Sequence, residues 1–469
     1  MTKTTPKKPA AQKATATKKA AAAAPYGHGD LSWFTHDRFG MFIHWGLYSM
    51  PARHEWIRNY ERITDEDYQI YFDLFNPDLF DPKAWARTAR EAGMKYFVVT
   101  TKHHEGFCLW DTKYTDYKIT NTPFGRDALR EIVDAFRAEG IRVGFYYSLI
   151  DWHHPDFTVD DIHPLAFHDR EKLNQGRDMK RYAKYMRDQV TELLTNYGKI
   201  DIMWFDFSYP WREKKPEELK WSRNNPARRS WDGKGRDEWE ADKLVRLVRK
   251  LQPNIVIDNR VDIPEAGDII TPEQYTPDAP LTHADGTPAA WEGCQTFSGS
   301  WGYYRDELCW KTTKQCIDML INHLSRGGNL NMNVGPTSSG YFDDRAMERL
   351  QGYARWMKYN SRSIYGCGPA PKGFVEPVDS RYTYNPETNR LYLHLQNWPF
   401  KHIQLPGLAG KVRYTQFLHD GSELHFREAG DGQAVHAALN ATSPKGAVTI
   451  ELPVQQPDVE VPVIEIFLK

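Results

Sequence analysis

The 469-residue sequence predicts an α/β fold, a (β/α)8-like barrel followed by a small all-β C-terminal sandwich domain. From Gly40 to about Asn360, apolar β-type runs alternate with amphipathic helical patterns, which is typical of a parallel sheet covered by helices. Beyond that point only short β-type runs occur, separated by Gly, Pro and Asp. The first β-run ends without a Gly-rich phosphate loop, which favours a barrel over an open doubly wound sheet.

The predicted barrel strands are seven β-type runs. They begin at Gly40, Tyr96, Arg142, Asp201, Asn254, Asp268 and Asn329. Amphipathic helical patterns lie between them, and several end in Gly, which commonly stops a helix. Clear examples begin at Pro82, Asp127 and Ala241. Seven runs over about 300 residues fit a (β/α)8-type barrel that is irregular in its second half.

The chain divides into three predicted parts. Residues 1–25 are a low-complexity tail with six Lys and no acidic residue, and we expect this tail to be disordered. Residues 26–360 form the predicted catalytic barrel, and residues 365–469 form the predicted β-sandwich. The β-type runs of the sandwich begin at Arg390, Lys411, Ala447 and Pro462.

Composition and charge exclude several classes of protein. The formal net charge is −1, and without the six tail lysines 55 basic and 62 acidic residues remain, a net charge of −7. A basic tail can contact nucleic acid or anionic lipid, but we expect a solvated extension and no nucleic-acid partner. No run approaches the ~18 consecutive apolar residues of a transmembrane helix, so no membrane partner is expected. The five cysteines form no CxxC pair, so neither a disulfide framework nor a zinc cluster is predicted.

Aromatic residues are abundant, with 16 Trp, 25 Tyr and 22 Phe making up 13% of the chain. A large core would account for them, because aromatic side chains bury large areas. A sugar-processing protein would account for them equally, because aromatic faces stack against the C–H faces of pyranose rings. Composition does not decide between these explanations.

Polar residues at the carboxyl ends of barrel strands are the catalytic candidates of this fold. In this sequence they are His44, His103, His104, Tyr146, Asp206, Arg260 and Glu273. The set contains carboxylates, imidazoles, a phenol and a guanidinium, but no nucleophilic Ser or Cys.

Asp206 ends an apolar strand, and the period of two places Trp204 on the same face. An acid in this position either pairs with Arg or serves as a glycosidase nucleophile, which stays ionised opposite a second, protonated carboxyl. Two residues are candidates for that second carboxyl. Glu273 ends another β-run, and Glu292 follows Trp291. Burial or proximity to Asp206 would raise the pKa of either glutamate.

Two other classes of function compete with a glycosidase. A metal-dependent barrel hydrolase would use His44, His103, His104 and Asp206 as ligands. Such enzymes usually carry His-x-His at the end of the first strand, where this chain has a single His, so a metal is disfavoured. A non-catalytic sugar-binding protein needs only aromatic residues and histidines, and a carboxylate pair argues against it.

Seven motifs occur in order between Trp33 and Tyr359, namely FGMFIHWGLYSMPA, HEW, TTKHHEGFCLW, GFYYS, WFDF, WEGCQTFSGSWGY and SRGGNLNMNVGP. Together they closely resemble the α-L-fucosidases of glycoside hydrolase family 29. The resemblance implies a retaining exo-glycosidase that removes terminal α-L-fucose from oligosaccharides or glycoconjugates by double displacement. It also implies an irregular barrel with a C-terminal sandwich, and no metal or organic cofactor.

The resemblance also implies roles for individual residues. Asp206 matches the nucleophile of the family. Residues that hold or surround the fucose are matched by His44, Glu55, Trp56, His103, His104, Tyr146, Trp204, Arg260 and Trp301. Within this group the histidines match residues that bind the fucose hydroxyls, and Trp301 matches an aromatic residue that faces the methyl group of the sugar.

This sequence departs from the family pattern at one position and leaves one role open. The nucleophile is commonly followed by Gly, whereas Phe207 follows it here. For the acid/base, the resemblance puts forward both Glu273 and Glu292. We favour Glu273, because it ends a barrel strand.

The expected partner is a fucosylated oligosaccharide or glycoconjugate. The linkage preference stays open, and so does a homo-oligomer. Because residues 1–25 lack the 7 to 15-residue apolar core of an export signal, a cytoplasmic location is the default expectation, although family members are often periplasmic, secreted or lysosomal. The polar interruption between Trp211 and Trp239 follows the fourth β-run and is either a lid over the barrel mouth or an insertion.

Overall fold

A computed structural model describes residues 26–215, 218, 230–428 and 445–469 of the chain. The predicted disordered tail, residues 1–25, lies outside these ranges. Within them, none of the helices combines the length and the apolar character needed to span a bilayer.

The first part of the chain alternates strands and helices. Its strands are β1 (Phe39–Ile43), β2 (Tyr96–Lys102), β3 (Arg142–Ser148), β4 (Ile202–Asp206), β5 (Arg212–Glu213), β6 (Ser230–Trp231), β7 (Val256–Ile257), β8 (Glu292–Thr296) and β9 (Asn329–Val334). Its helices are α1 (Ser32–Asp37), α2 (Ile57–Tyr60), α3 (Asp65–Leu74), α4 (Pro82–Glu91), α5 (Ala128–Ala138), α6 (Arg170–Leu173), α7 (Met179–Asn196), α8 (Ala241–Leu251), α9 (Thr313–Leu324) and α10 (Asp344–Asn360).

Seven of these strands form one parallel sheet in the order β7-β4-β3-β2-β1-β9-β8. The segment 269–273 connects its two edges through parallel bridges, pairing Ile269 with Asp258 after β7, and Ile270 and Glu273 with residues 291 and 294 at β8. This segment takes the place of the eighth barrel strand. The sheet is therefore an irregular (β/α)8-type barrel, as predicted.

Two of the eight strand positions of the barrel differ from the sequence prediction. The run from Asp268 forms only isolated bridges, because Pro272 has no N–H to donate to a ladder. Strand β8 was not predicted, because three of its five buried residues are polar, namely Glu292, Gln295 and Thr296. A strand that buries polar groups shows no hydrophobic period.

The interior of the barrel is separate from the layer between strands and helices. Phe42, Tyr146 and Trp204 belong to a buried cluster that fills the barrel, whereas their neighbours Met203 and Phe205 belong to the larger cluster under the helices. This alternation follows the period of two along each strand. It places Trp204 and Asp206 on the inner face of β4, as the sequence predicts.

The C-terminal part consists of antiparallel strands. They are β10 (Ser380–Asn385), β11 (Arg390–Leu395), β12 (His402–Pro406), β13 (Val412–Phe417), β14 (Phe426–Glu428), β15 (Ala447–Glu451) and β16 (Val463–Leu468). One sheet has the order β10-β11-β16-β13 and the other has the order β12-β15-β14. Both sheets contribute to one buried apolar cluster, so they pack as a sandwich. The four predicted runs are β11, β13, β15 and β16.

Helix α9 packs against barrel strand β9 and begins with a capping box. Thr312 Oγ1 accepts from the Gln315 N–H at 3.2 Å, and Gln315 Oε1 accepts from the Thr312 N–H at 2.8 Å. These bonds satisfy two backbone donors that a helix terminus would leave unpaired.

We expect Thr312→Ala to lower the free energy of unfolding by about 1 kcal/mol, because it removes the hydroxyl that caps α9. Thr312→Ser keeps the hydroxyl and should match the wild type. Urea-induced unfolding of the three proteins measures the difference, and equal losses for both variants would contradict the role of the cap.

Candidate active site

A cavity of about 380 Å³ opens at the carboxyl ends of the barrel strands. It is lined by Phe42, His44, Trp56, His103, His104, Tyr146, Trp204, Asp206, Phe207, Arg260, Glu273, Cys294 and Trp301. The predicted site residues are thus brought together here, except for Glu55 and Glu292, which do not line the cavity.

Asp206 is the last residue of β4, and both of its carboxylate oxygens accept hydrogen bonds. Tyr146 Oη donates to Oδ2 at 2.7 Å, and Arg260 Nη1 donates to Oδ1 at 3.0 Å. Burial and the nearby Asp206 carboxylate raise the pKa of Tyr146 well above its ordinary value, so the phenol stays a donor. These donors hold the carboxylate in one orientation with its charge stabilised.

Arg260 also contacts the second predicted carboxyl. Its Nη1 donates to Glu273 Oε2 at 2.8 Å as well as to Asp206 Oδ1 at 3.0 Å. The two carboxylate oxygens therefore lie no more than about 5.8 Å apart. The side chain of Glu273 is 43% exposed and that of Asp206 is 12% exposed, so Glu273 lies at the rim of the cavity and Asp206 lies deeper.

The guanidinium of Arg260 is itself held in place. Its Nε donates to Thr271 Oγ1 at 3.0 Å and its Nη2 donates to the Thr271 carbonyl at 3.1 Å. It lies 4.5 Å from the centre of the Trp204 ring. Burial opposes the charge on Arg260, but the carboxylates, Asp206 foremost, outweigh burial and raise the pKa of the guanidinium.

Three buried histidines form one side of the cavity. Burial lowers the pKa of His44 and of His104 to about 3, and burial together with the neighbouring imidazoles lowers the pKa of His103 well below its ordinary value. All three are therefore neutral near pH 7. Asn333 Nδ2 donates to the Trp301 carbonyl, so Asn333 Oδ1 faces His44 Nδ1 at 2.6 Å and accepts a hydrogen bond from its N–H. His44 Nε2 is then an acceptor.

Glu55 lies behind the wall of the cavity and holds the loop that carries Trp301. Its Oε2 accepts from Ser300 Oγ and from the backbone N–H groups of Trp301 and Gly302 at 2.9–3.2 Å. The Trp301 ring is 5.1 Å from the ring of His44. Glu55 thus supports the part of the cavity wall that Trp301 forms, and its neighbour Trp56 forms another part of the wall.

Glu292 lies in the barrel interior, under Trp204. Its Oε1 accepts from Trp204 Nε1 at 3.3 Å and Asn331 Nδ2 at 3.1 Å, and its Oε2 accepts from Tyr96 Oη at 2.6 Å. The residue is completely buried, and burial raises its pKa to about 7. Both of its oxygens are used to hold neighbouring side chains, Trp204 among them.

Sequence reasoning missed several residues of the cavity and its support. Phe42 and Cys294 line it, and Asn333 and Ser148 hold its histidines. Phe42 was accessible to sequence reasoning, because it lies two residues before His44 on the same face of β1. Ser148 and Asn333 were accessible too, because each is a polar residue at the carboxyl end of a predicted barrel strand. Cys294 lies on β8, which was not predicted.

Across the ranges that the structure describes, no three His, Cys, Asp or Glu side chains are placed so that they could hold a metal ion.

A pyranose ring presents hydroxyl groups and an apolar C–H face, and this cavity meets both with neutral imidazoles and indole rings. Two of its carboxyls share one guanidinium, and a pair of carboxyls is what glycosidic bond cleavage requires. Fold and site together define a glycoside hydrolase.

Comparisons with known proteins identify the family. The sequence profile of the Alpha-L-fucosidase family matches residues 4–362, and the chain belongs to this family, glycoside hydrolase family 29. Plasma alpha-L-fucosidase of Homo sapiens is 29% identical over 399 residues, which are 78% of this chain and 76% of that protein. Alpha-L-fucosidase isoenzyme 1 from Paenibacillus thiaminolyticus is 44% identical, with a TM-score of 0.83 over 94% of this chain and 98% of that chain.

A third relative bears on the reaction. It is a GH29 alpha-L-fucosidase from Bacteroides thetaiotaomicron, solved as a trapped covalent intermediate in complex with 2-fluoro-fucosyl fluoride. It is 26% identical, with a TM-score of 0.77 over 95% of this chain and 99% of that chain.

We expect Glu292→Gln to remove a loss of stability that the wild type suffers as the pH rises from about 4.5 to about 7. The folded protein keeps the proton of Glu292 up to a pKa of about 7, whereas the unfolded chain releases it near 4.5, so folding becomes less favourable across this window. The free energy of unfolding of the wild type falls by about 3 kcal/mol across this window and stays constant above about pH 7.

Urea-induced unfolding of both proteins at pH 5 and at pH 8 measures this effect. The difference in stability between Glu292→Gln and the wild type should grow in favour of the variant at pH 8. Parallel pH profiles would show that Glu292 is not a buried, protonated carboxyl.

Proposed function

We propose that this protein is a retaining exo-α-L-fucosidase, which removes terminal α-L-fucose from oligosaccharides or glycoconjugates by double displacement. The observation that carries this proposal is the Arg260 guanidinium, which places Asp206 Oδ1 and Glu273 Oε2 no more than about 5.8 Å apart. Retaining glycosidases need their carboxyls about 5–5.5 Å apart, whereas inverting ones leave room for a water at about 6.5–9.5 Å. The trapped covalent intermediate of the Bacteroides relative supports the same chemistry.

In the first step, Asp206 attacks the anomeric carbon of fucose. The bond from this carbon to the leaving oxygen breaks, and Glu273 gives its proton to that oxygen. Asp206 suits the attack because Tyr146 and Arg260 orient its oxygens at the base of the cavity. Glu273 suits the proton transfer because it lies at the rim, where the leaving group has to pass.

In the second step, Glu273, now a carboxylate, takes a proton from water, and the resulting hydroxide oxygen attacks the anomeric carbon. The bond to Asp206 breaks and the enzyme returns to its starting state, with the α configuration retained after two inversions. Arg260 contacts both acids, so it compensates the negative charge in each step, whether Asp206 or Glu273 carries that charge.

The neutral histidines fit a role in binding sugar hydroxyls rather than in charge stabilisation. Each imidazole offers a donor and an acceptor, and the bond from His44 Nδ1 to Asn333 leaves Nε2 as an acceptor for a hydroxyl. Trp56, Trp204 and Trp301 supply apolar surface for the remaining faces of the ring.

Hydrolysis of an aryl α-L-fucoside by the purified protein tests the activity, and NMR of the first product tests retention. We expect α-L-fucose as the first product. Binding of fucose without hydrolysis would instead indicate a sugar-binding protein, and loss of activity after exhaustive EDTA treatment would indicate a metal hydrolase.

Asp206→Gly should lower turnover of an aryl α-L-fucoside by more than about 10³-fold, because it removes the nucleophile. Azide should then enter the vacant space and attack the anomeric carbon directly, giving the inverted β-L-fucosyl azide. NMR of the azide product distinguishes the cases, and a retained α-azide from this variant would exclude Asp206 as the nucleophile.

Glu273→Ala should lower kcat/KM on fucosyl disaccharides by about 10²–10⁴-fold and affect activated aryl fucosides much less, because only a poor leaving group needs the proton. Azide should accelerate the variant and give the retained α-L-fucosyl azide. Glu292→Ala is the matched control. If it showed this pattern and Glu273→Ala did not, the acid/base would be Glu292.

A further inference from the structure

A groove of about 750 Å³ adjoins the cavity at its rim. It is lined by Asp206, Phe207, Ser208, Tyr209, Asn259, Arg260 and Asp262. Asp206, Phe207 and Arg260 line both spaces. The groove thus begins beside Asp206, the nucleophile of the proposed reaction, and its partner Arg260, and it continues away from the fucose cavity.

The ring of Phe207 separates the two spaces. On the cavity side its centre lies 5.1 Å from the ring of His104 and 5.2 Å from that of Trp56. On the groove side it lies 5.4 Å from the ring of Tyr209. The ring is held by aromatic contacts on both sides, so its position is defined.

The backbone of Phe207 is in the left-handed region, with φ = 74°. This conformation favours glycine, and a bulky aromatic residue there is strained. The resemblance to the family also leads us to expect Gly after the nucleophile. The backbone of Phe207 is strained at a position where glycine would fit without strain, and its ring lies between two spaces of the active site. These two observations point to a function for the ring.

We propose that this groove is the binding site for the leaving group, that its occupant is an uncharged sugar, and that Phe207 is the residue that selects it. This inference rests on the proposed fucosidase activity. The sugar would lie against the groove face of Phe207 while the fucose occupies the cavity, with the glycosidic oxygen between them and within reach of Glu273, which shares Arg260 with Asp206.

The chemistry of the groove fits a sugar ring. Phe207 and Tyr209 offer aromatic surface. Ser208 Oγ accepts from Trp239 Nε1 at 3.0 Å, so its hydroxyl proton remains to be donated. Asn259 Oδ1 accepts from the N–H and the hydroxyl of Thr271, which turns its Nδ2 group away from that residue.

The charges of the groove fit an uncharged occupant. Asp206 and Asp262 are acidic, and the cation among these lining residues, Arg260, already pairs with Asp206 and Glu273. Among the described residues that line the groove, a sulfated or carboxylated sugar would meet two carboxylates and no cation that is not already paired.

Phe207→Ala tests the proposal on two substrates, α-L-fucosyl fluoride, whose leaving group does not reach the groove, and the best of a panel of α1,2-, α1,3-, α1,4- and α1,6-linked fucosyl disaccharides. We expect kcat/KM on the disaccharide to fall about tenfold more than kcat/KM on the fluoride, because the lost stacking acts on the leaving sugar. Phe207→Tyr keeps the ring and should retain the wild-type ratio. Phe400→Ala, at an exposed Phe in the connection between β11 and β12, should alter neither rate.

Phe207→Gly repeats the test without the strained φ and covers the case in which Phe207→Ala does not fold. Equal losses on both substrates would show that Phe207 only supports the fucose cavity, and an unchanged ratio with wild-type rates would show that it does not contact the leaving group. Either result overturns the proposal. Failure of the wild type to hydrolyse the fluoride would instead overturn the proposed function.

A disaccharide with a sulfate on the leaving sugar tests the charge of the occupant. We expect the wild type to show a lower kcat/KM on the sulfated disaccharide than on the neutral one. Asp262→Asn should bring these two kcat/KM values closer together. Asn tolerates the positive φ of 62° at this position. A wild-type preference for the sulfated substrate would contradict an uncharged occupant.

Discussion

One guanidinium nitrogen organises the active site. Arg260 Nη1 donates to Asp206 at the end of β4 and to Glu273 in the segment 269–273. It thus links two segments of the barrel that share no strand pairing. Two carboxyls this close would repel each other if both were ionised and unpaired. The cation between them makes the spacing stable, and the spacing decides what chemistry the site can perform.

The remaining contacts keep that guanidinium in place. Thr271 fixes its plane by two hydrogen bonds, and the Trp204 ring supports its face. Trp204 is held in turn by Glu292, whose other oxygen accepts from Tyr96 across the barrel. Trp204, Glu292 and Tyr96 therefore form a connected, hydrogen-bonded support for the acids inside the barrel.

Much of this arrangement could be predicted from the sequence. Asp206 and Trp204 share a face because strand side chains alternate, and His44, Tyr146 and Arg260 follow strands whose carboxyl ends meet at one edge. Strand β8 could not be predicted, because a strand of buried Glu, Gln and Thr has no apolar period. The run from Asp268 was predicted as a full strand, but it forms only isolated bridges around Pro272. The bridging role of Arg260 could not be predicted either, because it depends on the closure of the barrel.

The choice between Glu273 and Glu292 shows why geometry has to precede pKa. A pKa of about 7 would recommend Glu292 as a general acid. Yet Glu292 has no exposed surface and uses both oxygens to hold Trp204, Asn331 and Tyr96, so a proton on it has no route to a leaving group. The burial that raises its pKa also removes it from the substrate. Glu273 is exposed at the rim and shares Arg260 with Asp206, so its position fits the proposed mechanism, in which one acid gains a proton as the other loses its bond to the sugar.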